Sequence, residues 1–194
     1  MSRQKKQIIV IGGPTGSGES TITNALVERF PNFTRLVTAT TRAPREGEKN
    51  EVDYYFFSKE QFLKEKASGN ILEFTHIANR DIYYGSYKPD LEQKLADGKT
   101  IIINPDIVGA KYYKSNFGAL TIFIEPESIE ILSQRLKKRN PNISEEELSQ
   151  RLENARQELE HEKLFYDVII KNEEDKLDEA IEKVAAIIKK HSEQ

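Results

Sequence analysis

The sequence predicts a three-layer α/β fold built on a parallel core sheet, and three observations carry that expectation. Ile8, Ile9, Val10 and Ile11 form a wholly apolar, β-branched run, which suits a strand buried on both faces of a parallel sheet. Similar runs recur at Thr100–Ile103, at residues 119–124 (ALTIFI) and at Val168–Ile170. Between them lie stretches whose apolar residues recur three and four apart, as on helices that cover such a sheet.

The first element is the most informative, because Gln7 to Ile22 reads QIIVIGGPTGSGESTI. Gly12 and Gly13 end the strand, and from Glu19 to Phe30 the pattern turns helical, with Ile22, Leu26 and Phe30 four apart. Strand, glycine loop, helix is a setting in which backbone N–H groups and the positive helix end meet an anion. Gly13, Gly18 and Ser20 fit the phosphate-loop pattern G-x-x-x-x-G-K-[ST], and Gly16 adds a third flexible position. Glu19 stands where that pattern has lysine. The bland alternative is a glycine turn that joins strand to helix and binds nothing.

Leu36 to Thr41 begins as a strand and leads into TTRAPREGE, where Arg42, Pro44, Arg45 and Gly47 make a rigid basic turn. Two guanidinium forks on one loop match phosphate oxygens, although two arginines alone read equally as a solvated loop. Val52–Ser58 predicts a strand and Lys59–Ser68 a helix that Gly69 and Asn70 end. Glu73 lies inside the apolar run Ile71–Phe74. On an edge strand it faces water; in a pocket it accepts from a base edge with adjacent N–H donors, as guanine has. Ile82–Tyr87 (IYYGSY) is a strand and turn rich in hydroxyls, and Leu91–Leu95 belongs to a helix closed by Asp97-Gly98. Asn104-Pro105-Asp106 follows a core strand, at the end where open α/β sheets bind ligands.

In the charged region that follows, Ile129, Leu132 and Leu136 make an apolar stripe, with Arg135 and Arg139 four apart beside it. Ser144 and Glu147 suit a capping box for a helix that carries Arg151 and Arg156. The closing helix, Lys176–Lys190, is amphipathic through Leu177, Ile181, Val184 and Ile188.

Composition bounds the function. The chain has 194 residues, enough for one well-cored domain. A net charge of -3 argues against a general nucleic-acid binder. The absence of cysteine excludes disulfides and thiolate metal sites, and the three histidines lie far apart. No apolar run approaches a membrane span, and MSRQKKQ leads straight into a strand with no signal-like segment, so a cytoplasmic location without membrane partners is expected.

Taken together, several segments resemble guanylate kinases, the ATP:GMP phosphotransferases, over roughly the whole chain. They are GGPTGSGEST, TTRAPREGEKNEVDYYF, YYGS, the aspartate of NPDIVGA, the SQRLKKR helix and the RLENARQELE helix. TTRxPRxGE with YYGS downstream is the most specific part. The resemblance implies a P-loop NTPase fold over 1–194: a core (1–35, 91–126, 159–194), an inserted mixed α/β GMP-binding lobe (36–90) and a helical lid (127–158).

It also implies roles. Gly13, Pro14, Thr15, Gly16, Ser17, Gly18, Glu19, Ser20 and Thr21 would hold the ATP phosphates, with Asn172 on the adenine side. Ser20 would ligate Mg2+ directly or through water. Thr38, Arg42, Arg45, Glu48 and Tyr54 would lie in the GMP lobe. Arg42, Arg45, Tyr54 and Tyr84 would hold the GMP phosphate, and Thr38, Glu73 and Ser86 would read guanine. Asp106 falls at a guanine-side carboxylate, and Asn104 stands where the family pattern has an aspartate that helps organise the metal or the GMP ribose and base. Arg135 and Arg139 would belong to the lid and Arg151 would sit beside it; with Arg42 these form the expected catalytic set. GMP and ATP are the implied partners, in a monomer or homodimer with no nucleic acid bound.

Glu19 and Asn104 depart from that pattern. At an effective dielectric near 20, a unit charge about 4 Å from a phosphate is worth roughly 4 kcal/mol, or about three orders of magnitude in rate if felt in the transition state. Lys5, Lys6 and the lid arginines are candidates to supply the missing charge. Two other readings stay open at this point: an inactive module whose phosphate clamp holds GMP or a phosphorylated protein, and a kinase for another phosphorylated sugar or nucleotide.

Overall fold

The chain forms β1 (Ile8–Gly12), α1 (Glu19–Arg29), β2 (Phe33–Arg35), β3 (Thr38–Thr40), β4 (Tyr55–Phe56), α2 (Lys59–Ala67), β5 (Ile71–Ile77) and β6 (Ile82–Tyr87). It continues with α3 (Lys88–Ala96), β7 (Thr100–Ile103), α4 (Ile107–Phe117), β8 (Leu120–Pro126), α5 (Ile129–Arg139), α6 (Glu145–Gln157), β9 (Val168–Asn172) and α7 (Leu177–Ser192). These elements come from a computed structural model that describes residues 7–192; Lys5 and Lys6 lie outside the described residues. Two units separate, Met1–Pro31 with Ile102–Gln194 and, apart from them, Asn32–Ile101.

The first unit is organised by β1, β8 and β9, in which β1 runs parallel to β8 and β8 to β9. Ile8 to Ile11 are fully buried, as are Ile122 and Ile124, so the β-branched runs do sit inside the sheet. Their parallel direction gathers the carboxyl ends of these strands on one edge, where the loops bind ligands. On α7, Ile181, Val184 and Ile188 are buried. Leu132 and Leu136 of α5 pack with Leu148 and Ala155 of α6.

The second unit is a four-stranded sheet of order β4-β3-β6-β5. Strand alternation gives it two faces. Ala39, Phe62 and Ile71 form a core with Tyr55, Phe57, Phe74, Tyr83 and Tyr87 packed on it. The opposite face carries Thr38 and Thr40, paired across to Ser86 and Tyr84.

Several elements differ from the sequence expectation. The strand anticipated over Val52–Ser58 shrinks to β4, because Glu51 takes φ 64 in a turn and Ser58 instead caps α2. Helix α4 has no counterpart among the sequence expectations, although Asp106 and Gly118 are its two caps. Ser144 caps α6 as expected by accepting from the Glu147 N–H, while the Glu147 carboxylate pairs with Arg151.

Candidate active site

The glycine loop follows β1 and turns into α1. At Gly13 (φ 152) a side-chain carbon would come 2.5 Å from the Ile124 carbonyl oxygen, and at Gly18 (φ 102) it would strike the Asn172 amide. Only glycine fits both places. Ser17 N–H donates to the Pro14 carbonyl at 2.8 Å, which closes the turn. Gly18 is the N-cap of α1 and supplies no side-chain acceptor, which leaves the first helical N–H groups for an anion. Glu19 is the first helical residue; a carboxylate there suits the helix dipole while occupying the end an anion would use.

A cavity of about 700 Å³ lies on this loop, lined by Thr15, Gly16, Gly18, Glu19, Ser20 and Thr21. Arg135, Lys138, Arg139, Asn172 and the acidic run Glu173–Asp175 line it too. Leu132 and Leu136 pack next to Gly16, which brings Arg135, between them on α5, to the loop. Its guanidinium makes long contacts to the Ser17 carbonyl (3.5 Å), the Asn172 carbonyl (3.4 Å) and Glu174 (3.3 Å). Asn172 is only 3% exposed and donates to the Ser17 carbonyl at 2.7 Å, so it braces the loop. Arg151 is held by Glu147 at 2.7 Å and lines neither this cavity nor the next.

A second cavity, of about 300 Å³, shares Glu19 and is otherwise lined mainly by Asn104, Asp106, Glu158, Glu162 and Tyr166. Residues 158–162 form a π-helical turn, which presents two carboxylates four residues apart; such turns often mark functional places. Burial, reinforced by Glu162, pushes the Glu158 carboxyl up to about 7. Glu162 is also raised, by burial against an opposing influence from Lys111. Burial and then Glu162 push the Tyr166 hydroxyl upward. Asp106 has a structural duty as well, accepting from Gly109 N–H as N-cap of α4.

Asn104 donates both amide hydrogens, to the Ile11 carbonyl at 2.9 Å and the Thr23 hydroxyl at 3.1 Å. It thereby ties the strand before the loop to the helix after it. An aspartate here would set a carboxylate oxygen against the Ile11 carbonyl. Asn104→Asp is therefore expected to lower stability by about 1–3 kcal/mol, read as a fall in thermal midpoint at pH 8. An unchanged midpoint would show that the tie contributes nothing.

In the second unit, Arg42 gives its fork to Glu48, with both bonds at 2.9 Å. Glu48 also accepts from the Arg45 N–H at 2.7 Å. The pair is largely buried, and the guanidinium lies over the Tyr54 and Phe56 rings at 5.3 and 5.7 Å. Glu48 raises the Arg42 pKa, and Arg42 foremost holds the Glu48 carboxyl below its ordinary value. Tyr54 and Tyr84 meet edge to face at 6.0 Å beside this pair, and the Arg45 side chain is exposed. Cross-strand register sets Thr38 opposite Ser86, and the buried Ser86 hydroxyl donates to Glu73 at 2.6 Å. Thr38, Glu73 and Ser86 are thus assembled on three adjacent strands, and Arg42, Tyr54 and Tyr84 nearby on the same face. What the sequence reading missed is the acidic lining given by Glu158, Glu162 and Tyr166; no residue spacing in the sequence marks the π-helical turn.

Comparison with known proteins adds an independent finding. The guanylate kinase family model matches residues 5–191. A guanylate kinase from Synechocystis is 37% identical over 186 residues, 95% of this chain and 94% of the relative. One from Caldanaerobacter subterraneus is 38% identical over 187 residues, 95% of this chain and 88% of the relative. Among solved structures, the guanylate kinase from Anaplasma phagocytophilum superposes with a TM-score of 0.73 at 30% identity, covering 96% of this chain and 86% of that one.

Proposed function

The chain belongs to the guanylate kinase family, and from that premise we infer that it transfers the γ-phosphoryl group of ATP to GMP, giving ADP and GDP. The observation that carries the substrate is the Thr38–Ser86–Glu73 cluster on the open face of the second unit's sheet. Glu73, oriented by Ser86, is the carboxylate to accept from the N1–H and exocyclic amine of guanine, with Thr38 beside it. Arg45, Tyr54, Tyr84 and the Arg42–Glu48 pair are the groups for the GMP phosphate.

On the donor side, the loop Gly13–Thr21 receives the ATP phosphates through backbone N–H groups, and Asn172 holds the loop in shape. The exposed Ser20 hydroxyl, on the cavity and at the head of α1, suits a hard cation that takes oxygen ligands. Ser20 would hold Mg2+, which neutralises phosphate charge when bound. Arg135 and Arg139, in the proposed lid over 127–158, stabilise charge on the transferring group. Asp106 and Asn104 belong to the support of the loop edge, and Arg151 flanks the lid. Among the described residues no helix is long and apolar enough to cross a membrane.

Glu73→Gln tests the substrate assignment, since it replaces one acceptor with a donor facing guanine donors. A drop in kcat/KM for GMP of about 100-fold or more is expected, because unpaired polar groups in a site are costly. ATP affinity should be unchanged. A Glu73→Gln variant that phosphorylates GMP normally would remove Glu73 from base recognition.

A further inference from the structure

We propose that Lys138, on α5, supplies the ammonium that the glycine loop lacks, by reaching the β- and γ-phosphates of ATP from across the loop cavity. The proposal deepens the kinase reading above and rests on it for the identity of the ligand.

Residues 13–21 contain no lysine or arginine. The loop therefore meets phosphate with backbone N–H groups, and carries Glu19 where the pattern has its cation. A loop lysine acts on phosphate as a point charge, whereas arginine acts as a planar fork. A point charge on a flexible stem has no fixed line of approach, so another segment can deliver it. The cationic residues lining the loop cavity are Arg135, Lys138 and Arg139. With both arginines serving the transferring group, Lys138 is the one left for the donor oxygens.

The helix aims it there. At 3.6 residues per turn, the lining positions Ile131, Gln134, Arg135, Lys138 and Arg139 fall within an arc of about 140°, and Lys138 lies near its middle. Its neighbour Lys137 meets Glu145 at 3.7 Å and does not line the cavity. Lys138 is exposed, and among the described residues its side chain has no ion pair or hydrogen bond. Two acidic residues on the cavity already have cations, since Glu173 meets Lys176 at 2.6 Å and Glu174 meets Arg135 at 3.3 Å. Lys138 thus gives up no partner when it turns to phosphate.

The test is a double-mutant cycle of Lys138→Met and Glu19→Lys in the full chain. ATP affinity is measured by titration calorimetry without GMP, and kcat/KM for ATP by GMP-dependent ADP release. In the parent background, Lys138→Met is expected to lower both by about tenfold or more, with GMP affinity unchanged. In the Glu19→Lys background the loss should shrink to about threefold or less, because the loop then carries its own charge and the two sites couple. Circular dichroism melts establish that each variant is folded; if Lys138→Met is not, Lys138→Gln carries the same expectation. No loss in the parent background would overturn the proposal. So would equal losses in both backgrounds, which would assign Lys138 to the acidic run across the cavity. Calorimetry needs no turnover, so coupling in ATP binding without any GMP-dependent ADP release would keep the Lys138 contact and overturn the kinase reading alone.

Discussion

Glu19→Lys is expected to raise kcat/KM for GMP phosphorylation by two to three orders of magnitude. Residue 19 opens α1, beside the N–H groups that face the cavity. Replacing carboxylate with ammonium there changes the charge next to the ATP polyphosphate by two units. One unit at about 4 Å and an effective dielectric of 20 is worth roughly 4 kcal/mol, equivalent to about three orders of magnitude; screening by water and salt keeps the gain from two units well below their sum. The same substitution should slightly destabilise the fold, because a cation at a helix N-terminus opposes the dipole by about 0.3–1 kcal/mol. Faster turnover together with a lower thermal midpoint is thus the signature. A variant no faster than the parent would mean that another group already supplies the full charge.

Arg135→Met should reduce kcat by about 1,000-fold while leaving the KM for GMP within a few-fold. Among the lid arginines, Arg135 is the one whose guanidinium rests on the carbonyl oxygens of the loop and of Asn172. Polyphosphate offers that group stronger acceptors than carbonyls and the exposed Glu174 do. Arginines that stabilise the charge of phosphoryl transfer are worth about 10³–10⁵ in rate. Arg135→Lys should recover little, because a point charge does not reproduce the planar fork. If kcat is preserved and only the thermal midpoint falls, Arg135 merely fastens the lid helix.

The sequence made the core legible because β-branched runs and glycine spacing are local signals. Ile8–Ile11 is buried as expected, and Gly13 and Gly18 adopt the positive φ angles that a tight loop requires. The polar face of the second unit was also within reach, since TTRAPREGE and YYGS lie on strands and turns that register brings together. Three things were not legible. The Arg42 fork is engaged by Glu48, six residues away, through a turn whose geometry the sequence does not specify. Asn104 reads as a lost charge, whereas its amide joins Ile11 to Thr23 across a long sequence separation. Glu158 and Glu162 look like an exposed helical charge run, and only the π-helical turn sets them toward a cavity.

The central claim is that this chain, Glu19 notwithstanding, is a GMP kinase. A coupled ADP-release assay with ATP and Mg2+ tests it most directly, with GMP and AMP compared in parent and Glu19→Lys. The account predicts GMP-dependent turnover in the parent, stimulation in Glu19→Lys and, because Glu73 suits guanine, at least about 10⁴-fold preference for GMP over AMP. Absence of turnover in both proteins, with GMP still bound, would contradict it and identify a binding module in place of an enzyme.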